Sequence, residues 1–308
     1  MNDWLVVILL AQALVAATPL VLAGLGELVA ERSGVLNIGI EGLVLAGCLA
    51  GFATAAATGH PWLAFAAAIG TGSLLALAFG LMTVYARCDQ IVSGLALNLV
   101  IIGGTGTAWS VMQTHGLTTM VPGSGFDRDW CGGWGVDLPL IGPLLFRQYG
   151  LTVVVAILAL VTAWILARTR LGLIIRALGD EPDACAAAGV PVRRWRLLAV
   201  VGAGAAAGAA GAFLAIMRTN SFVPMMSGGL GFIVLALVMF GRWRVGWMIS
   251  GCVLFGLADA TQQHLQSQAG ANRLPYQVWQ VIPYATALIV LALMRRGRAG
   301  PRALGQPW

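Results

Sequence analysis

The sequence predicts an all-α membrane protein: a polytopic transmembrane helical bundle of about nine spans, N-terminus out and C-terminus in. Three observations carry that expectation. First, 59% of the 308 residues are hydrophobic and only 10% are charged, with a mean hydropathy of +0.85; a soluble domain is about a quarter charged. Second, the apolar residues fall in long blocks and not in the short alternating segments of a membrane barrel. Third, the basic residues sort by loop, as set out below.

A helix needs roughly 20 mainly apolar residues to cross the hydrocarbon, where it bonds its own backbone internally. Blocks of this kind lie at about 4–23, 36–58, 61–85, 91–113, 150–167, 197–217, 228–241, 246–263 and 278–294. The seventh is short and bordered by glycine, which leaves it open as a half-span and the count open between eight and ten. The first reads as a span and not a cleaved leader. Met1-Asn2-Asp3 carries no positive charge, and the apolar run from Trp4 to Ala23 is too long for a leader's core.

With alternating spans and the C-terminus inside, Arg128, Arg147, Arg218 and Arg273 face outward and the remaining arginines face the cytoplasm. All 18 basic residues are arginine. Cytoplasmic loops carry such an excess. The net charge of +6 is thus a matter of topology and not a nucleic-acid footprint. Trp4, Trp62, Trp164, Trp195, Trp243, Trp247 and Trp279 fall near the span ends, where an indole keeps its ring in lipid and its N–H near water.

Residues 1–308 read as one transmembrane domain, with an external loop at about 114–149 and a cytoplasmic loop at about 168–196. Cys48, Cys88, Cys131, Cys185 and Cys252 form no C-x-x-C pair, and His60, His115 and His264 are scattered. No metal site or disulfide framework is expected. Without lysine the chain has no phosphate-binding P-loop, so any ATP must be used by another subunit. No nucleophile–base pair or catalytic carboxylate pair appears, and no catalytic residue is assigned.

Three constellations stand out. Gly34-Val-Leu-Asn-Ile-Gly-Ile-Glu-Gly42 opens the second span and contains Asn37, Gly39, Glu41 and Gly42. On a helix Asn37 and Glu41 would share a face. Glycine-broken segments line cavities at membrane depth, whereas a carboxylate there also fastens helices, with Arg32 as one candidate partner. Met226-Ser-Gly-Gly-Leu-Gly-Phe232, with Gly229, Gly231 and Phe232, is a second interrupted segment in the other half of the chain. It reads either as path lining or as a flexible helix entry. The third, residues 179–196, predicts a short cytoplasmic helix. Asp180 or Glu181 would cap it, Pro182 suits its first position, Asp183 complements its dipole, and Gly189 with Pro191 ends it. Asn98, Asp259 and Gln90 are further polar residues in or beside spans. The glycine–alanine run 202–211 spaces small residues four apart, as at Gly204 and Gly208, for close helix packing.

The run Gly26-Glu27-Leu-Val-Ala-Glu31-Arg32-Ser-Gly34-Val-Leu-Asn37-Ile-Gly39-Ile-Glu41-Gly42 resembles the opening signature of permeases of nucleoside and simple-sugar ABC importers. That family includes ribose and branched-chain amino-acid permeases. The segments 89–98, 176–189 and 228–243 agree with it in order. The resemblance implies that Asp183, Ala184, Ala187 and Gly189, with Asp180, Glu181 and Pro182 ahead of them, form a coupling helix, although Asp183 and Cys185 depart from the family's Glu-Ala-Ala pattern. It also implies several partners: a cytoplasmic ABC ATPase that uses ATP and magnesium, a second related permease, and an extracytoplasmic binding protein or lipoprotein. This chain itself would bind no cofactor and would sit in a bacterial inner membrane. The solute would be a nucleoside or a simple sugar, with Asn37, Gly39, Glu41, Gly42, Asn98, Gly229, Gly231 and Phe232 as candidates to line its path. The alternative is an ion-coupled secondary transporter with Glu41 or Asp259 as the proton site.

Overall fold

The computed structural model describes residues 2–115, 142, 146, 148–267, 279, 281–286 and 300–306. The elements among the described residues are helical: α1 (Asn2–Arg32), α2 (Ile40–Thr58), α3 (Pro61–Gly80), α4 (Gln90–Thr114), α5 (Gly150–Arg168), α6 (Arg170–Asp180), α7 (Pro182–Ala187), α8 (Val192–Ala212), α9 (Leu230–Phe240) and α10 (Val245–Ser267). Wider π turns prolong α3 through Leu81–Tyr85 and α8 through Phe213–Arg218.

Among the described residues, six stretches are long and apolar enough to cross a membrane: Leu5–Arg32, Ile40–Thr58, Pro61–Tyr85, Gln90–Thr114, Gly150–Arg168 and Val192–Arg218. They coincide with the first six predicted spans. The seventh is the 11-residue α9. At 1.5 Å per residue it is about 16 Å long, roughly half of the hydrocarbon thickness. The eighth is α10, whose last turns carry Asp259, Gln262 and Gln263. Of the ninth, residues 279 and 281–286 are helical. The rest of it, and nearly all of the external loop at 114–149, lie outside the described residues.

Two predicted boundaries are corrected. The first helix does not stop near residue 23 but continues to Arg32, because Glu27 and Glu31 are buried and bonded inside the bundle. The second begins at Ile40 and not at 36, because seven non-helical residues precede it.

The outward face is apolar, and the core, itself mostly apolar, also encloses polar and ionisable side chains. Leu74, Leu99 and Leu160 project outward, Leu160 being 73% exposed, whereas Glu27, Glu31, Asn37, Glu41, Gln90 and Asn98 are buried. In lipid, ionisable side chains belong in the bundle interior. The helix α8 packs against α1, α2 and α3. Its small residues make this possible. Gly208 lies against the Ala68 carbonyl and Gly72 of α3, Gly211 against the Val44 carbonyl and Cys48 of α2, and Gly204 against Gly72 and Ala76. Gly202, on the same helix, faces open space.

Candidate functional site

The end of α1 is shaped by Gly34, in the left-handed conformation at φ +95°. Gly34 N donates to Glu31 O at 3.0 Å and Val35 N to Ala30 O at 3.1 Å, the paired bonds that close a helix around a left-handed glycine. The chain then runs without helix to Gly39, almost wholly buried. Side chains take over the bonding that a helix would supply, as buried backbone requires. Leu36 N donates to Gln90 Oε1 at 2.8 Å, Asn37 N to Glu27 Oε1 at 3.2 Å, and Gly39 N to Asn37 Oδ1 at 3.0 Å.

Asn98 of α4 closes the gap. Its Oδ1 accepts from Gly42 N at 2.6 Å and its Nδ2 donates to Ile38 O at 3.0 Å. Gly42 N and Ile38 O are the pair that an uninterrupted helix would join directly, so the carboxamide stands inside the helical ladder. Gly94 of α4 allows the approach: a Cβ there would lie 2.9 Å from Gly39 N. Replacing Asn98 by leucine strands both backbone groups and is expected to lower stability by about 1–3 kcal/mol. Thermal denaturation in detergent measures this, and an unchanged midpoint would mean that the ladder closes by itself.

The second interrupted segment meets the first. Glu41, 4% exposed, accepts from Ser227 Oγ at 2.6 Å and Gly229 N at 2.9 Å on Oε1, and from Gly231 N at 2.6 Å on Oε2. Gly229, at φ +82°, is the cap residue of α9 and has no side chain with which to cap it. The carboxylate from α2 therefore caps α9 from across the bundle, satisfying its free N–H groups and opposing its positive end. A Cβ on Gly231 would lie 2.5 Å from Glu41 N, so the two backbones touch.

The structure thus brings Asn37, Gly39, Glu41, Gly42, Asn98, Gly229 and Gly231 into one layer, with Phe232, 47% exposed, beside it. Asn37 and Glu41 do not share a helical face, because Asn37 lies in the break; nor does Glu41 bond Arg32, whose guanidinium donates to Trp243 O at 2.6 and 2.9 Å. Both oxygens of Glu41 and both amide atoms of Asn98 are committed to backbone. The buried side-chain atoms left without a partner in this region are Asn37 Nδ2, Glu27 Oε2 and Glu31 Oε1.

Asp259 accepts from Arg218 Nη2 at 2.8 Å, joining α10 to the end of the α8 π turn, and from Gln263 Nε2 at 2.8 Å.

The predicted cytoplasmic helix is present as α7. Pro182 is its first residue, and Gly189, at φ +79°, ends it with Val190 N bonded to Cys185 O at 2.9 Å. The predicted side-chain cap is absent. Asp180 closes α6 instead, and Glu181, though in the cap position, makes no capping bond. A glutamate side chain is longer than those that favour this position; its carboxylate lies 3.5 Å from Arg302. Of α7, Cys185 turns inward against Leu178 and Val192, while Asp183, Ala184 and Ala187 are exposed. Burial pushes the Cys185 thiol above its ordinary range, against the pull of Arg196 and with a smaller push from Glu181. An open groove of about 880 Å³ separates α7 from the α3–α4 turn and is lined by Tyr85, Arg87, Asp183, Arg193 and Arg194, among others.

Sequence reasoning missed the roles of Glu27, Trp243, Arg196 and the segment 300–306. Two acids four residues apart, Glu27 and Glu31, next to an apolar block were the available signal for the first. Trp243 Nε1 donates to Glu31 Oε2 at 2.5 Å across 212 positions, which no local pattern shows.

Residues 9–293 match a family described as "Branched-chain amino acid transport system / permease component". The chain is 38% identical to TsgC13 of Haloferax volcanii, a protein that its name connects with glucose ABC transport as a permease; the match covers 90% of this chain and 88% of that one. It is 32% identical to the nucleoside ABC transporter permease NupC of Lactococcus lactis, over 97% of this chain and 95% of that one. It is 30% identical to the guanosine ABC transporter permease NupQ of Bacillus subtilis, over 98% and 96%. No solved structure matches the chain. The chain belongs to this permease family, and it is a multi-pass inner-membrane subunit of an ABC transporter.

Proposed function

We propose that this permease passes a nucleoside or a simple sugar inward, in nine spans with the N-terminus outside, as half of a path completed by a second, related permease. The cytoplasmic ATPase uses ATP with magnesium; an external binding protein or lipoprotein delivers the solute, and this chain binds no cofactor. The whole chain 1–308 is one domain. The relatives' names support the solute class. The path candidates are Asn37, Gly39, Glu41, Gly42, Asn98, Gly229, Gly231 and Phe232, and α7 with Asp180 and Glu181 ahead of it receives the ATPase's motion.

The observation that carries the reading is α7 itself: a short exposed helix with one buried side chain, ended by a left-handed glycine, in the connection between the long apolar helices α5 and α8. Such a helix offers Asp183, Ala184 and Ala187 to a partner. The ion-coupled alternative has less to support it, since the carboxylates of Glu41 and Asp259 are already engaged.

Uptake of labelled guanosine and glucose in cells lacking the partner ATPase gene tests the mechanism. Loss of uptake is expected, and undiminished uptake would reject ATP-driven import.

A further inference from the structure

Arg196 sits one turn into α8 and is 2% exposed, yet its hydrogen bonds all go to main-chain carbonyls. Nε donates to Ser33 O at 3.0 Å, Nη2 to Leu178 O at 3.1 Å and Nη1 to Gln306 O at 3.3 Å. Ser33 follows directly on α1, and Leu178 lies in the last turn of α6. Carbonyls at helix C-termini lack partners of their own and carry the negative end of the helix dipole. The buried guanidinium is therefore balanced by two helix ends at once. Its planar, five-donor fork holds them in a fixed relation that a single ammonium cannot reproduce.

The segment 300–306 repeats the connection one residue along. Ala303 N donates to Gly179 O at 2.8 Å and Gly305 N to Gly34 O at 3.2 Å. Gly179 follows Leu178, and Gly34 follows Ser33. Both are glycines where a Cβ would collide: at Gly34 with Arg196 Nη2, 2.7 Å away, and at Gly179 with Arg32 O. Two ties thus join the same pair of places, and they meet where Arg196 Nη1 donates to Gln306 O. One place leads, through Asp180 and Glu181, straight into α7. The other leads, through Val35 and Leu36, straight into the break held by Asn98 and joined to Glu41.

We propose that Arg196 is a positioning residue, the joint through which movement of α7 reaches the α1–α2 break, with residues 303–306 as a second strap across it. The proposal rests on the reading of α7 as the helix that receives the ATPase's motion. Arg196 is buried and donates to main-chain carbonyls of its own chain, so on this proposal its loss uncouples hydrolysis from uptake and leaves hydrolysis running.

The test uses the complete importer, with both permeases, the ATPase and the binding protein, in liposomes. Uptake of labelled guanosine or glucose, whichever the wild type carries, and ATP hydrolysis are measured together. R196Q is expected to hydrolyse ATP at close to the wild-type rate while solute carried per ATP falls about tenfold, within the range of coupling between distant sites. R196K, with one charge and no fork, should recover part of the ratio. A303P removes the strap's N–H to Gly179 and leaves Arg196 in place; a smaller fall in the same ratio is expected, and this variant decides the matter if R196Q does not assemble. Uptake and hydrolysis falling in proportion, or an unchanged ratio in every assembled variant, would overturn the joint alone. Wild-type uptake without ATP would overturn the import reading and the joint with it.

Discussion

Glu41→Leu is expected to reduce uptake to background and to lower stability by roughly 2–6 kcal/mol, the sum for the two buried backbone donors that it strands. The reason is the number of donors that lose their acceptor. Ser227 Oγ, Gly229 N and Gly231 N all point at this one carboxylate, which is itself buried. Each buried donor left unpaired costs about 1–3 kcal/mol. The serine hydroxyl can turn to another acceptor, whereas the two backbone N–H groups cannot. Glu41→Gln keeps the shape but sets an amide NH₂ where one oxygen stood, so two donors face each other and a smaller loss, about 1–2 kcal/mol, is expected. Thermal denaturation in detergent orders the three proteins as wild type, Gln, Leu. A leucine variant as stable as the wild type would show that α9 does not depend on this cap.

The second large effect is expected at Gly208. Gly208→Leu should prevent assembly of the bundle, whereas Gly202→Leu, six residues earlier on the same helix, should leave the melting midpoint within a degree or two. Gly208 lies against the Ala68 carbonyl and the Gly72 Cα, and even a Cβ overlaps backbone there. Backbone cannot rotate out of the way as a side chain can. In lipid, helices gain little by hiding apolar surface from each other, so close backbone contact is the main source of their association. Separating α8 from α3 removes it at Gly204 and Gly208 together, and the same helix also holds α2 through Gly211. Gly202 has nothing within 4 Å. Membrane insertion followed by size-exclusion profiles in detergent distinguishes the two variants. Equal behaviour would mean that the glycine run merely lacks bulk and holds nothing.

The contrast shows what the sequence could and could not reveal. Composition and block length were enough for the helical membrane fold, because both follow from the solvent around the chain and need no knowledge of neighbours. The interrupted segments at 34–42 and 226–232 were visible because glycines cluster there. That they meet, through Glu41, was not visible: the partners are 186 to 190 positions apart and two of the three are main-chain N–H groups, which every residue but proline possesses. Asn98 was noticed as a polar residue in a span, yet its place inside the α2 ladder depends on Gly94, whose meaning appears only once α4 lies against Gly39. The α7 helix was located from its proline and its terminal glycine. Its capping was misread because two adjacent acids look alike in a string, while only the fold shows that one ends the preceding helix. Arg196 was counted as one more cytoplasmic charge, since nothing local separates a buried arginine from Arg193 and Arg194 beside it.

The way Glu41 holds α9 has a consequence for how this contact can change over generations. One side of the bond is a single carboxylate; the other is the Ser227 hydroxyl and two main-chain N–H groups, both of glycines that resist exchange, since Gly229 is left-handed and a Cβ on Gly231 would lie 2.5 Å from Glu41 N. Drift is thereby confined to Phe232 and the positions beyond it on α9, which supply none of the donors to Glu41. The lining of a path could therefore be retuned for a new solute along α9 while its fastening to α2 is inherited intact.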